Sequence, residues 1–176
     1  NKVGHGVAGD GELLDGVRRW PEPPGEAFWH GPIAELVALV DPHTEADPVA
    51  VFAQVLVAFS SIIGRRAHWR NGTVVNYSNL YAMIVGHSGQ GRKGTGMEVV
   101  RFLLHGVDDE WASKCVYRGM TRGEGFLEAM RDPSNDPDAP PGVTDKRALW
   151  VETEFGSTLA KMGRKHNFLI GFIRDA

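Results

Sequence analysis

Apolar positions spaced three and four residues apart predict helices in several parts of the chain. The clearest pattern begins at Asp47 and Pro48, residue types that suit an N-cap and the first helical position. It ends at Gly64, and its apolar residues fall on one helix face. That face comprises Val51, Phe52, Val55, Leu56, Phe59, Ile62 and Ile63. A shorter helix is expected before it, over residues 31–41.

Short apolar runs predict strands between further helices. Residues 67–77 have the pattern of a hairpin closed by a tight Asn71-Gly72 turn. Buried strands are expected at 80–85, 115–117 and 148–151, and helices at about 94–105, 121–130 and 155–162. The stretch 132–145 is rich in Pro and Asp, so we expect a long loop there.

This alternation of strands and helices predicts an α/β fold with a mostly parallel sheet flanked by helices. Residues 1–30, rich in Gly and Pro, are expected to form an arm or linker, with Trp20, Phe28 and Trp29 as anchors. Residues 31–78 would form a helical and hairpin extension, and 79–176 the core. Because the chain begins at Asn1 and stops within a helical pattern, we expect a core that is incomplete at its C-terminal end.

Composition narrows the class of protein. The 176 residues carry a net charge of −3, which argues against nucleic-acid binding through bulk basicity. The single cysteine, Cys115, excludes a framework of disulfides within the chain. No apolar stretch approaches the length that spans a membrane, and no signal peptide is visible. We therefore expect a cytoplasmic protein without a membrane partner.

The glycine-rich connection between the strand 80–85 and the next helix predicts a phosphate-binding loop. It comprises Gly86, His87, Ser88, Gly89, Gln90, Gly91, Arg92, Lys93, Gly94 and Thr95. Backbone amides and the positive end of the helix dipole converge in such a loop. Lys93 would reach phosphate oxygens, and Thr95 would offer its hydroxyl to Mg²⁺. The spacing is a variant of the P-loop pattern, since Arg92 separates Gly91 from Lys93.

The same loop fits two other interpretations. Residues 89–94 match the dinucleotide pattern G-x-G-x-x-G, and acids at 108–110 lie about 20 residues beyond it. A ribose-binding acid should follow the second strand, however, whereas these acids precede the predicted strand at 115–117. The third interpretation is a glycine-rich connection without a ligand, which is costly in conformational entropy.

Three acids complete the candidate site. Glu152 and Glu154 follow the strand 148–151, where P-loop ATPases carry the acid of the magnesium shell. Glu152 fits that position and Glu154 could polarise water, although solvated acids are also common at strand ends. Glu124 could orient an attacking water, but the third position of a capping box that starts at Thr121 explains it equally well.

Several motifs occur together in the order of a known family. They are Asp41 to Pro48, Ile63-Gly64-Arg65, Asn79-Leu80, Val85 to Ser88, Gly91 to Thr95, Arg122 to Gly125, Asp145-Lys146-Arg147, Val151 to Phe155 and Met162-Gly163-Arg164. Over residues 31–176 the chain resembles a bacterial and phage family of RecA-type P-loop ATPases. That family is related to hexameric replicative helicases of the RepA kind and is often joined to primase domains on mobile elements.

The resemblance implies a RecA-like core that binds ATP and Mg²⁺ and assembles into a homo-oligomer, with a hexameric ring as one form. It implies that 86–95 is the phosphate loop, that Glu152 is the Walker B acid and that Glu124 is a catalytic acid. It also implies a helicase-like motor that acts on single-stranded DNA. Two alternatives stay open: an ATP-dependent switch or assembly module, for example in phage defence, and a dinucleotide-dependent oxidoreductase.

Overall fold

The computed structural model describes residues 22–86, 93–119 and 123–162. Its helices are α1 (Gly31–Val40), α2 (Pro48–Ile63), α3 (Lys93–Leu104), α4 (Asp109–Lys114), α5 (Gly123–Ala129) and α6 (Phe155–Met162). Its strands are β1 (His68–Asn71), β2 (Val74–Tyr77), β3 (Val116–Arg118) and β4 (Leu149–Val151). Short 3₁₀ turns lie at Glu26–Phe28 and Asp41–His43.

Helix α2 lies at the centre of the hydrophobic core, and its predicted start and end are confirmed. The carboxylate of Asp47 accepts a hydrogen bond from the backbone N–H of Ala50 at 3.0 Å, which caps the first turn. Gly64 follows the last turn with a positive φ of 54°, a conformation that glycine adopts without strain. The buried residues of α2 face those of α3, namely Met97, Val100 and Leu104.

The end of the predicted arm is anchored on α2 by aromatic side chains. The ring centroid of Phe52 lies 4.8 Å from that of Phe28 and 5.9 Å from that of Trp29. Phe28 and Trp29 therefore serve as the expected anchors, since tilted and edge-on aromatic pairs at these distances are stabilising. Trp20, the third expected anchor, lies outside the described residues.

Strands β1 and β2 form the predicted antiparallel hairpin, but its turn lies one residue later than expected. Asn71 pairs with Val74, so the two turn residues are Gly72 and Thr73 rather than Asn71 and Gly72. Gly72 has a φ of +60°, which suits the first turn position of a two-residue hairpin loop. The positive φ falls on the only glycine of the stretch, which explains the shift in register.

Strands β3 and β4 pair in parallel, with Val116 opposite Leu149 and Arg118 opposite Val151. Parallel strands need a crossover, which here contains α5 and the loop 132–145. The ends of that loop meet: the N–H of Val143 donates to the carbonyl of Arg131 at 2.9 Å. The Lys146 ammonium also donates to the Arg131 carbonyl. The described strands thus form two short sheets, one antiparallel and one parallel.

The prediction of a strand at 80–85 is wrong for the structure as described. Residues 78–86 form neither a helix nor a strand, and Tyr81, Met83 and Val85 are largely exposed. An apolar run becomes a strand only when a neighbouring strand pairs with its backbone. Within the described ranges no strand pairs with this segment. A mostly parallel RecA-like sheet therefore remains an expectation.

Candidate functional site

A groove with a volume of 2160 Å³ is the setting of the candidate site. Residues 78–85, β4 with the residues that follow it, and the first turns of α3 contribute to its lining. The C-terminal end of α2 contributes as well, so the groove runs beside the hydrophobic core. Small-molecule pockets usually measure about 300–1,000 Å³, so a ligand of that class would fill only part of this groove.

A residue just before the predicted phosphate loop and one near its end line this groove. Val85, one residue before the loop, and Gly94, within the first turn of α3, both line it. Thr95 is exposed in the same turn and is not among the lining residues. Residues 87–92, which are His87, Ser88, Gly89, Gln90, Gly91 and Arg92, lie outside the described residues. Lys93 is the first residue of α3, as expected of a phosphate loop that leads into a helix.

Helix α3 is fixed against the end of β3 by an ion pair. The guanidinium of Arg118, the last residue of β3, donates to the Glu98 carboxylate at 3.0 Å. Arg101 donates to the other oxygen of Glu98 at 3.2 Å. The hydrogen bond from Arg118 is the main cause that lowers the pKa of Glu98. On the buried side, Gly96 allows a close approach, because a Cβ there would lie 3.0 Å from Oε1 of Gln54.

Glu152 and Glu154 lie at the end of β4 and both line the groove. The Glu152 carboxylate accepts a hydrogen bond from the backbone N–H of Glu154 at 3.2 Å. The carbonyl of Glu154 in turn accepts from the N–H of Ser157 in the first turn of α6. Negative charge is favourable at a helix N-terminus, so part of the role of these acids is to start α6. The half-buried Glu152 retains a second carboxylate oxygen for another partner.

Glu124 is not brought to the groove. It is exposed in the first turn of α5 and is not among the lining residues. The capping box that would explain it starts at Thr121, which lies outside the described residues. Of the acids predicted for the site, Glu152 and Glu154 therefore share the groove with Gly94, whereas Glu124 does not.

The acid predicted for a dinucleotide site has other partners. One oxygen of Asp108 caps α4 by accepting the N–H of Trp111 at 2.8 Å. The other oxygen accepts from Arg147 at 2.6 Å. These two contacts lower the pKa of Asp108 and explain its presence without a ribose ligand. The neighbouring acids, at 109 and 110, are exposed on α4.

Sequence reasoning missed the cluster around Arg147. This guanidinium donates to both oxygens of Asp145, to Asp108 and, at 2.9 Å, to the carbonyl of Ile62 at the end of α2. Its hydrogen bonds lower the pKa of Asp145 to about 2. Burial, reinforced by the Asp145 charge, raises the pKa of the Cys115 thiol to about 11. The cluster ties β4 to α2 and α4 and belongs to the framework of the groove.

The sequence did contain a signal for this cluster. Asp145 and Arg147 are two residues apart, and in an extended backbone such residues project to the same side. The pairing of Arg147 with Asp108 and with the end of α2 could not be found in this way, because 39 and 85 residues separate the partners.

Other kinds of site are not evident in the described part of the chain. Among residues 22–86, 93–119 and 123–162, no group of three or more His, Cys, Asp or Glu side chains could hold a metal ion. No helix in those ranges is long and apolar enough to cross a membrane. Compared with known proteins, the chain matches no protein-family model, and no curated protein or solved structure is significantly similar to it.

Proposed function

We propose that the chain binds and hydrolyses ATP as a RecA-like motor domain that acts on single-stranded DNA. The observation that carries this proposal is the lining of one groove by Val85, Gly94, Glu152 and Glu154. Residues on both sides of the glycine-rich connection thereby border the same groove as the acids that follow a parallel strand. In open α/β sheets, ligands bind at the carboxyl ends of the parallel strands, which is where these acids lie.

The phosphates would lie at the N-terminal end of α3. Backbone amides of the glycine-rich connection would donate to phosphate oxygens, and the dipole of this helix would favour their negative charge. Lys93 would add a full positive charge at the first helical position. The contact of Arg118 with Glu98 supports this role, because it joins the second turn of α3 to the end of β3.

Glu152 is the residue best placed to hold Mg²⁺. Magnesium is commonly bound by one or two carboxylates together with phosphate oxygens, so a cage made entirely of protein ligands is not needed. When bound, Mg²⁺ would neutralise charge on the transferred phosphoryl group. Thr95 would contribute its hydroxyl and Glu154 would orient a water. Glu124 would act only if its side chain reached the groove, which Phe126 of the same helix already lines. Hydrolysis would further need an arginine from a neighbouring subunit of the ring.

A switch or assembly module that binds ATP without moving along DNA is the second candidate. The net charge of −3 favours it, because DNA motors commonly present extensive basic surfaces. A dinucleotide-dependent oxidoreductase has less support, since Asp108 already pairs with Arg147 and caps α4.

ATP hydrolysis by the full-length protein, with and without single-stranded DNA, tests the motor against the switch. We expect DNA to stimulate hydrolysis and Glu152→Gln to lower the rate at least about tenfold, because a carboxylate that organises Mg²⁺ is lost. Glu128→Gln is the matched control, since Glu128 is exposed on α5 and does not line the groove. Hydrolysis that DNA leaves unchanged would favour the switch, and an unaffected Glu152→Gln variant would contradict the assigned acid.

A further inference from the structure

The hairpin of β1 and β2 presents unusual surface chemistry. Every residue of the two strands is exposed except the half-buried Val75. Trp69 is 60% exposed and Tyr77 is 37% exposed, although large aromatic side chains are normally buried in a core or an interface. Burial within the described part of the chain therefore does not explain these two aromatic residues.

The register of the hairpin gives each aromatic residue its own face. Side chains alternate along a strand, and directly paired residues share a face. One face carries His68, Arg70, Val75 and Tyr77, and the other carries Trp69, Asn71, Val74 and Asn76. Two flat ring systems on opposite faces of a narrow ribbon suit a ligand that wraps around the hairpin.

The charge around the hairpin is positive and unpaired. Arg65, Arg66 and Arg70 are exposed, and in the described part of the chain none of them forms an ion pair with a carboxylate. The guanidinium carbon of Arg65 lies 4.9 Å from the ring centroid of Tyr77, which is a cation–π contact. No Asp or Glu occurs between Asp47 and Glu98. The hairpin is thus basic in a chain whose overall charge is negative.

We propose that the β1–β2 hairpin binds single-stranded nucleic acid. The guanidiniums of Arg65, Arg66 and Arg70 contact backbone phosphates, and unpaired bases stack on Trp69 and Tyr77. Alternating arginines and exposed aromatic rings are the usual chemistry of such sites, because every base has a face that can stack. A duplex would leave the rings unused, since its bases are already stacked on one another. This inference rests on the proposed function in one respect, which is the choice of DNA rather than RNA as the single-stranded ligand.

Fluorescence anisotropy with labelled oligothymidine tests the proposal on the full-length protein without nucleotide. We expect Trp69→Ala to weaken binding about tenfold, because one base loses its stacking partner. Trp69→Phe should restore most of the affinity. Replacing Arg65 and Arg70 together by Ala should flatten the dependence of log K on log salt by about 1.4, or about 0.7 for each lost phosphate contact.

Arg101→Ala and Phe102→Ala are the matched controls. Arg101 is an exposed arginine neutralised by Glu98, and Phe102 is 79% exposed on α3, away from the hairpin sequence. Both should change affinity less than about twofold, because neither offers an unpaired charge or a ring on the hairpin. Wild-type affinity in Trp69→Ala and the Arg65/Arg70 variant would overturn the proposal. Equal binding of a labelled polyglutamate peptide would also overturn it, in favour of an acidic protein partner.

Two comparisons separate this inference from the proposed function. Binding of oligouridine in place of oligothymidine tells RNA from DNA. A preference for RNA that depends on the hairpin would mean that the proposed motor acts on RNA, and the hairpin site would still stand. Binding of a fluorescent ATP analogue to Trp69→Ala should equal that of the wild type, because Trp69 does not line the groove, whereas Arg65 does. If ATP fails to bind but oligothymidine binding still depends on Trp69, the proposed ATPase fails and the hairpin site stands.

Discussion

Arg147 shows how single residues hold the framework of the groove. Its side chain is 18% exposed, and its three partners come from the end of α2, the cap of α4 and the chain before β4. Planar guanidinium groups suit such a site because they donate in several fixed directions at once. The Asp145 carboxylate binds it through both oxygens.

Asp145→Asn tests how much the ion pair between Asp145 and Arg147 contributes to the stability of the fold. The pKa of Asp145 is about 2 in the folded chain, below its usual value of about 3.9. The ionised carboxylate therefore stabilises the fold at pH values above about 3.9. We expect the variant to lower the free energy of unfolding by about 2 kcal/mol at neutral pH. The difference from the wild type should shrink as pH falls from about 4 to about 2.

Urea unfolding at several pH values measures this difference, with Asp138→Asn as the control. Asp138 lies in the exposed loop, so its replacement should change the free energy of unfolding by less than about 0.5 kcal/mol. A difference between wild type and Asp145→Asn that stayed constant down to pH 2 would be incompatible with a stabilising carboxylate.

At the scale of elements, the side chain of Trp111 joins the short helix α4 to α2. Trp111 is 2% exposed, and its indole N–H donates to the Ser61 hydroxyl at 3.0 Å. Asp108 caps the backbone at the same residue. A helix of six residues is unstable alone, so this packing and capping determine whether it forms.

Trp111→Phe should therefore destabilise the fold while leaving its architecture intact. We expect a loss of about 1–3 kcal/mol, because a smaller ring leaves a cavity and the Ser61 hydroxyl loses its donor. Trp69→Phe, on the exposed hairpin, should cost less than about 0.5 kcal/mol. Urea unfolding followed by far-ultraviolet circular dichroism compares the two variants. An equal effect of both substitutions would show that α4 does not depend on Trp111.

Elements defined by local chemistry were predictable from the sequence. Asp47 and Gly64 mark the ends of α2 because capping and a positive φ act over a few residues. The irregular backbone of residues 80–85 was not predictable in the same way, since strand pairing depends on distant residues. Arg147 was missed for the same reason, because its contacts with Asp108 and Ile62 are long-range.

At the scale of the whole molecule, the groove brings distant parts of the chain together. Gly94 and Glu152 were predicted to share a site on the basis of separate patterns, and both line the groove. The sequence could indicate a shared groove, because strand ends and helix starts converge at one edge of a parallel sheet. It could not indicate that Glu124 is not among the lining residues although Phe126 of α5 is, because the face that α5 turns to the groove depends on the long crossover.

The most direct test of the central claim is equilibrium binding of a fluorescent ATP analogue in the presence of Mg²⁺. We predict binding that unlabelled ATP reverses and NAD does not, and a loss of at least about tenfold in Lys93→Ala, because the positive charge at the start of α3 is removed. Lys114→Ala, which removes an exposed lysine outside the groove, should bind as the wild type does. Unchanged affinity in Lys93→Ala, or displacement by NAD as effective as that by ATP, would contradict the account.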